Sequence, residues 1–447
     1  MTRITLTTEQ ENVINCEGSL VAIAKPGSGK TTVLSKLIKR NLPNLRPHQG
    51  IIAISYTNKA SGELKRRSTS GGIDVKASFF GTIDSFCDSE IIIPFLPHLW
   101  GKPEEEITVK KISDLPEEEQ VSFSGITENT VSLDQIEEHL DIIRSWFTKG
   151  ILLLETNGAL AQYTIENSPA CQHYLKTKYT HIIVDEYQDS GFEQHELFLK
   201  LQCLGLTAIA VGDPHQSIFG FSQKDPKYLL SLPNKEKFKT FPITKNHRSH
   251  PSIINYSLKL LDEKAELINT DEIRVFHKHC AGNTASISAW VDKCIPQVTS
   301  KYNIEKPSEI GILVRGNSTG REINSSLLSK HRYFDTHPLE NHLSLWAKLF
   351  ASLLFYRYNS NNTVQDIIEN SGARVPTPET KKIKAQIKKI RKIADNELYE
   401  QLTLIAQALL PKATSEEAVR ILKESEPTSL VFTDFLINAL NRRLLLV

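Results

Sequence analysis

Long apolar runs are missing from this sequence. No stretch approaches the ~18 consecutive apolar residues of a membrane helix, so no membrane partner is expected. The amino terminus, MTRITLTTEQENV, has no apolar core of the signal-peptide kind. Cysteine is sparse: Cys16, Cys87, Cys171, Cys203, Cys280 and Cys294 are widely spaced, with no CxxC pair. That excludes a disulfide framework and predicts reduced, buried thiols in a cytoplasmic protein. An excess of one charge is also absent, with 53 Lys+Arg against 52 Asp+Glu. A uniformly basic DNA-coating protein is thereby excluded. A local DNA-binding patch is not, because counterion release follows the phosphates contacted. There is no internal repeat. What is present is ordinary globular composition, 40% hydrophobic and 23% charged, which excludes disordered and collagen-like chains. A length of 447 residues suggests roughly two to four domains.

Four short, wholly apolar runs stand out: SLVAIA (19–24), IIAIS (51–55), HIIV (181–184) and TAIAV (207–211). Separated by helical stretches such as TTVLSKLIKR, they predict a parallel sheet covered on both faces. The first α/β domain is expected over 1–101 and 171–240. A helical insertion spans 102–170, opening with the charged segment KPEEEITVKKISDLPEEEQ. Within it Leu133, Ile136, Leu140, Ile143 and Phe147 recur at helical spacing, with Ser132 and Gln135 as a capping box. A second α/β unit is expected over 241–339, its clearest strand being EIGILV (309–314). A second helical insertion follows over 340–440, and 441–447 begin a return to that second domain. Within 340–440, KKIKAQIKKIRK (381–392) has seven basic residues and no acid, with Ile383, Ile387 and Ile390 on one helix face. Its basic side is equally compatible with solvent and with DNA or a partner.

Two segments carry chemistry. AKPGSGKT (24–31) lies between a strand and a helix, the setting of a phosphate-binding loop. Gly27 and Gly29 let backbone N–H groups turn inward, and the helix N-terminus adds the positive end of its dipole. Lys30 would reach the β/γ-phosphates and the Thr31 hydroxyl would bind Mg2+. The candidate nucleotide ligands are therefore Ala24, Lys25, Pro26, Gly27, Ser28, Gly29, Lys30, Thr31 and Thr32; Ala24 replaces the first Gly of the general pattern. HIIVDEYQD (181–189) is an apolar strand ending in two carboxylates. Asp185 suits Mg2+, and Glu186 suits the proton of an attacking water. Phe276-His-Lys-His-Cys280 reads as a solvated strand rather than a metal site, because no second cluster at zinc spacing follows.

These residues resemble superfamily 1 helicases of the UvrD/Rep type. LTTEQ (6–10) resembles the glutamine motif, with Gln10 toward adenine. ISYTNKASGEL (54–64) and FGTIDSF (80–86) resemble motifs Ia and Ib, and DEYQD (185–189) motif II. VGDPHQSIFGF (211–221) and TKNHRS (244–249) resemble motifs III and IV, and ILVRGN (312–317) the motif after them. The resemblance covers 6–317 in order. It implies a P-loop NTPase with two RecA-like α/β domains and helical insertions, using ATP or another NTP or dNTP with Mg2+. It implies catalytic roles for Lys30, Asp185, Glu186, Gln216 and Arg248, the last brought to the γ-phosphate by domain closure. It places His247 against the base, where the family usually has Tyr or Phe. It places Tyr56, Thr57, Asn58, Thr82, Phe219 and Phe221 on single-stranded DNA, where aromatic faces tolerate any base. Asp84 stands where the family often has His. Ser222-Gln223 replace an Arg-Gly pair, a departure that bears on how strongly DNA is coupled to nucleotide.

More narrowly, GTIDSFCDSEIIIPF (81–95), the small insertions and the short chain resemble the helicase-like subunit of Gabija antiphage systems, which works with an OLD-family nuclease. No string like motif V (KGLE) or motif VI follows, and the chain stops at NALNRRLLLV (438–447). The second domain is thus expected to be incomplete, in a truncated or a naturally short chain. Two functions are open: a DNA-dependent ATPase that translocates or unwinds, or a nucleotide- and DNA-responsive subunit that controls a nuclease with little unwinding. The small insertions favour the second, the intact P-loop with Asp185 and Glu186 the first.

Overall fold

In a computed structural model the described residues are 5–123, 132–217, 225–331, 333, 377–393 and isolated positions between 349 and 408. The chain divides into two compact units, Met1–Val275 and Phe276–Val447.

The first unit is built on a six-stranded sheet: β1 (Leu20–Ala24), β2 (Gly50–Ile54), β3 (Phe79–Gly81), β6 (Tyr179–Val184), β7 (Thr207–Gly212) and β8 (Lys239–Ile243). Their order is β3-β2-β6-β7-β1-β8, and every pairing is parallel, for example Ile23 opposite Gly212 and Ile54 opposite Val184. The four strands expected in this unit are all present. Their wholly apolar character follows from burial on two faces, and alternate residues serve two cores. Val21, Ile52, Ile182, Ala208 and Ala210 enter one core. Leu20, Ala22, Ile51, Ile183, Ile209 and Val211 enter the other, against Val33, Leu34 and Leu37 of the helix Lys30–Asn41.

Between β3 and β6 the chain is mostly helical, with a small parallel ribbon of β4 (Thr108–Lys110) and β5 (Ile151–Leu153). The Ser132 capping box forms as expected, Gln135 N donating to Ser132 Oγ at 3.3 Å and Ser132 N to Gln135 Oε1 at 2.9 Å. The single helix expected over 133–147 is instead two, Leu133–Glu138 and Leu140–Thr148, broken where His139 takes φ −110°, ψ 17°. Hydrophobic spacing survives such a break, because Ile136, Ile143 and Phe147 are all still buried.

In the second unit the described elements are the helices Thr284–Lys301, Asn317–Ser326 and Thr377–Lys389 with short 3-10 turns. Thr284 Oγ1 bonds Glu322 at 2.5 Å, and the Asp292 carboxylate accepts from the N–H groups of Leu328 and Ser329. The strand expected at 309–314 is not formed: Pro307–Glu309 is a 3-10 turn, and Leu313 after it is 97% exposed. An apolar run becomes a strand only where a neighbour supplies the ladder. Residues 276–280 are largely exposed as expected but form no strand, and no metal-holding group occurs among the described residues. Ile383, Ile387 and Ile390 are buried on one face as expected. The six cysteines are free, but only Cys87 and Cys171 are buried; Cys203 is exposed, which corrects the expectation of uniformly buried thiols. No described helix is long and apolar enough to cross a membrane.

Candidate nucleotide site

The loop after β1 turns through Gly27 (φ +68°) and Gly29 (φ +84°) into the helix Lys30–Asn41, with Gly29 as its left-handed N-cap. Both glycines are required. A Cβ on Gly27 would lie 2.6 Å from Asn246 Oδ1, and one on Gly29 3.0 Å from Gln10 Nε2. Ser28 is wholly buried, and its Oγ has no hydrogen-bond partner among the described residues. The loop thus runs through two left-handed glycines into a helix N-terminus, the backbone shape that suits an anion.

Asp185 and Glu186 leave the end of β6, and Asp185 N donates to Ile54 O of β2 at 3.0 Å. Lys30 Nζ reaches across to Glu186 Oε2 at 2.7 Å. Gln188 Nε2 donates to the same oxygen at 2.9 Å, while its Oε1 accepts from Asp213 N at the end of β7. Asp213 in turn accepts from Gln216 Nε2 at 2.7 Å and from His215 N at 3.0 Å. One hydrogen-bonded chain therefore runs from Lys30 through Glu186, Gln188 and Asp213 to Gln216. Asp185 is 7% exposed. Burial, then the Glu186 charge, pushes its carboxyl up to about 7 against the opposing pull of Lys30 and the Glu186 N–H. Glu186 itself has φ 55°, ψ 45°, a left-handed backbone that is strained for a side chain of its size.

Gln10 is placed by the capping box of the helix Thr8–Asn15: its N–H donates to Thr7 Oγ1 and its Oε1 accepts from Thr7 N at 3.0 Å. Its Nε2 donates to Ser28 O at 2.9 Å, so the glutamine expected to face adenine is engaged with the phosphate loop. The segment after β8 lies against the same loop. Asn246 Nδ2 donates to Pro26 O at 2.8 Å and His247 N to Gly27 O at 2.9 Å. Arg248 is exposed and belongs to the first unit, its Cβ within 2.9 Å of where a Gly27 Cβ would be. Lys30, Asp185, Glu186, Gln216, Gln10, His247 and Arg248 thus all lie in one unit. Gln188, Asp213 and Asn246 had no assigned role, though each stands inside a quoted motif; the signal was present in the spacing, and the role appears only in three dimensions.

Of the residues expected to meet DNA, Tyr56 is 42% exposed. Thr57 and Thr82 also have local duties. Thr57 caps the helix Asn58–Thr69 through Ala60 N at 3.1 Å, and Thr82 makes a capping box with Ser85. Asn58 begins the first of these helices. A pocket of ≈ 170 Å³ lies beside them at the ends of β2, β3 and β6, lined by Ser55, Tyr56, Thr82, Asp84, Asp185 and Ser190 among others. Phe219, Phe221, Ser222 and Gln223 lie outside the described residues, as do 438–447.

Comparison with known proteins agrees with this geometry. A family model described as an AAA domain matches residues 10–222. The Gabija protein GajB of Bacillus cereus (strain VD045) is 28% identical over 431 residues, covering 90% of this chain and 77% of that protein. The ATP-dependent DNA helicase PcrA of Staphylococcus aureus (strain Mu50 / ATCC 700699) is 25% identical over 367 residues, 73% of this chain. PcrA of Staphylococcus epidermidis is 27% identical over 293 residues, 58% of this chain. The matches span 50% and 40% of those PcrA chains, about half the length of these helicases or less. In its P-loop, its parallel α/β sheet and its ordered motifs the chain is similar to the UvrD/Rep-type superfamily 1 helicases, and its similarity to GajB extends over more of its length than its similarity to PcrA.

Proposed function

We propose that this chain is a DNA-dependent nucleoside triphosphatase that hydrolyses ATP or another NTP or dNTP and translocates along or unwinds DNA with single-stranded ends. The observation that carries this is the Lys30–Glu186 pair at 2.7 Å, with Asp185 buried beside it and Gln216 joined to it through Gln188 and Asp213.

The residues present fit a magnesium nucleotide. The loop offers left-handed glycines and a helix N-terminus, and Asp185 is a buried carboxyl that burial pushes up to about 7. Such a group is stabilised as a carboxylate by a divalent cation, which Asp185 and the Thr31 hydroxyl would hold. Mg2+ supplies charge neutralisation on the phosphates when bound. The chain's own residues do the rest. Lys30 binds phosphate oxygen in exchange for Glu186. Released from Lys30 but still oriented by Gln188, Glu186 Oε2 takes the proton of the attacking water. Gln216 and the Arg248 guanidinium meet the charge that spreads over the γ-phosphoryl oxygens. Tyr56, Thr57, Asn58, Thr82, Phe219 and Phe221 would contact DNA.

From the Gabija resemblance we also propose a role in antiphage defence with a nuclease partner of the OLD family; similarity to the Gabija protein GajB over 90% of the chain supports that resemblance. Hydrolysis with and without single-stranded DNA, in wild type and Lys30→Ala, tests the enzymatic function. DNA-stimulated hydrolysis that falls roughly 10²-fold or more in Lys30→Ala is expected. No such Lys30-dependent hydrolysis, together with capture of an OLD-family nuclease in a pull-down, would leave a regulatory subunit in its place.

A further inference from the structure

Three successive carbonyls of the phosphate loop are held from outside it. Pro26 O accepts from Asn246 Nδ2 at 2.8 Å, Gly27 O from His247 N at 2.9 Å, and Ser28 O from Gln10 Nε2 at 2.9 Å. In a planar trans peptide the C=O and N–H point opposite ways. Anchoring these carbonyls therefore aims the N–H groups of Gly27 and Gly29 to the other side of the loop, while the Ser28 N–H donates to Lys25 O at 3.2 Å. Such an array of N–H groups is what an anion-binding concavity requires.

Asn246 does more than the other two anchors. Its Oδ1 accepts from Arg248 N at 2.8 Å and Ser249 N at 2.9 Å, an Asx-type turn that sets the direction in which Arg248 leaves the backbone. One amide therefore spends its donor on the phosphate loop and its acceptor on the arginine. The start of the segment is fixed as well: the Glu9 carboxylate accepts from Thr244 N at 2.7 Å and Thr244 Oγ1 at 2.8 Å, and Lys25 N donates to Ile243 O at 2.9 Å. Gly27 leaves room for this contact, since a Cβ there would displace the Asn246 oxygen.

We propose that Asn246 is a positioning residue that makes the phosphate loop and Arg248 one body, fixing the reach of the guanidinium to the phosphates. This rests on the nucleotide hydrolysis proposed above. Domain closure is not needed to bring the Arg248 backbone to the loop.

Hydrogen exchange on the nucleotide-free full chain and steady-state hydrolysis test this in Asn246→Ala and Asn246→Asp. Alanine removes all three bonds, so amide exchange rises at 27–29 and at 248–249, and kcat/KM falls about tenfold or more. Aspartate keeps the acceptor and loses the donor, so exchange rises at 27–29 alone. Adding Arg248→Ala to Asn246→Ala costs less in kcat than the two single losses multiplied, because both act through one guanidinium. Wild-type melting temperatures exclude simple unfolding as the cause. Unchanged exchange at 27–29 in both variants overturns the proposal, and so do fully multiplicative kcat losses. A wild-type chain that does not hydrolyse nucleotide overturns the enzymatic function instead, and the exchange data then still decide whether Asn246 holds the loop.

Discussion

Glu186 has a left-handed backbone, and its Oε2 accepts from both Lys30 and Gln188. A carboxylate held this way is oriented before any water arrives. Glu186→Gln is expected to lower kcat by roughly 10²–10⁴-fold with nucleotide binding retained, measured by hydrolysis and equilibrium binding. Loss of binding together with kcat would show that the carboxylate serves the loop and not the water. Lys30, Asp185 and Glu186 were legible because a P-loop and an acid-ended apolar strand are local patterns. Asn246 and Gln188 were not, since their partners lie 220 and 25 residues away at Pro26 and Asp213. Glu193 was equally invisible. It is 4% exposed, accepts from Gln162 Nε2 at 2.8 Å, and burial pushes its carboxyl up to about 7. The folded chain therefore holds a proton that the unfolded chain has lost between about pH 4.5 and 7. That contribution to stability is full below 4.5 and disappears as pH rises through 7. Half-buried His181 and buried His195, both lowered to about 4 chiefly by desolvation, act oppositely, and their contribution is lost as pH falls from 6.5 toward 4. Glu193→Gln should gain stability relative to wild type from pH 5 to pH 8, on the order of 1–2 kcal/mol after solvent screening. Denaturant midpoints at the two pH values measure it, and an equal difference at both would exclude the raised carboxyl.

At the scale of elements, strands β1, β2, β6 and β7 were legible because burial on both faces leaves short, mostly apolar runs without charged residues, set between helical stretches. The break at His139 and the unpaired 310–314 segment were not, since a helix break keeps the apolar spacing and a ladder partner leaves no trace in the run itself. A third feature joins elements distant in sequence. Glu90, in the wide π-type turn Cys87–Ile92, accepts through one oxygen from Tyr174 OH at 2.6 Å, Lys178 Nζ at 2.6 Å and Tyr179 OH at 2.8 Å. It ties the helical segment that follows Thr82 to the helix Pro169–Lys178 and to the start of β6. Both members of the ion pair are mostly buried. Glu90→Ala takes the carboxylate from Lys178, which keeps only its hydrogen bond to the Tyr174 hydroxyl at 2.7 Å, and the acceptor from both hydroxyls; it should cost roughly 3 kcal/mol in chemical denaturation, with Glu90→Gln costing less. An alanine variant within about 0.5 kcal/mol of wild type would show that the cluster adds nothing net.

At the scale of the whole molecule, the six-stranded sheet, both of its cores and all the candidate nucleotide residues from Gln10 to Arg248 fall within Met1–Val275. Between the helices Pro251–Leu261 and Thr284–Lys301 no helix or strand forms, and Lys264, Arg274 and Lys278 are exposed. These three basic residues are not equally open to a protease, which must pull a stretch of backbone into its cleft. Asn255 exchanges two hydrogen bonds with the Ile268 backbone, and Ser252 Oγ accepts from Arg274 N at 3.0 Å, so the chain up to 274 is pinned to the first helix. Lys278 follows the last of these anchors. Brief trypsin treatment should therefore cut first after Lys278, before Lys264 or Arg274, as read by intact mass of the products. Because the released amino-terminal piece keeps the whole six-stranded sheet with both cores, it should retain binding of a magnesium nucleotide at an affinity near that of the intact chain. If cleavage after Lys278 abolishes binding while the piece still melts cooperatively, residues beyond 278 supply part of the site, and the concentration of nucleotide contacts in the first unit is not sufficient to hold the ligand.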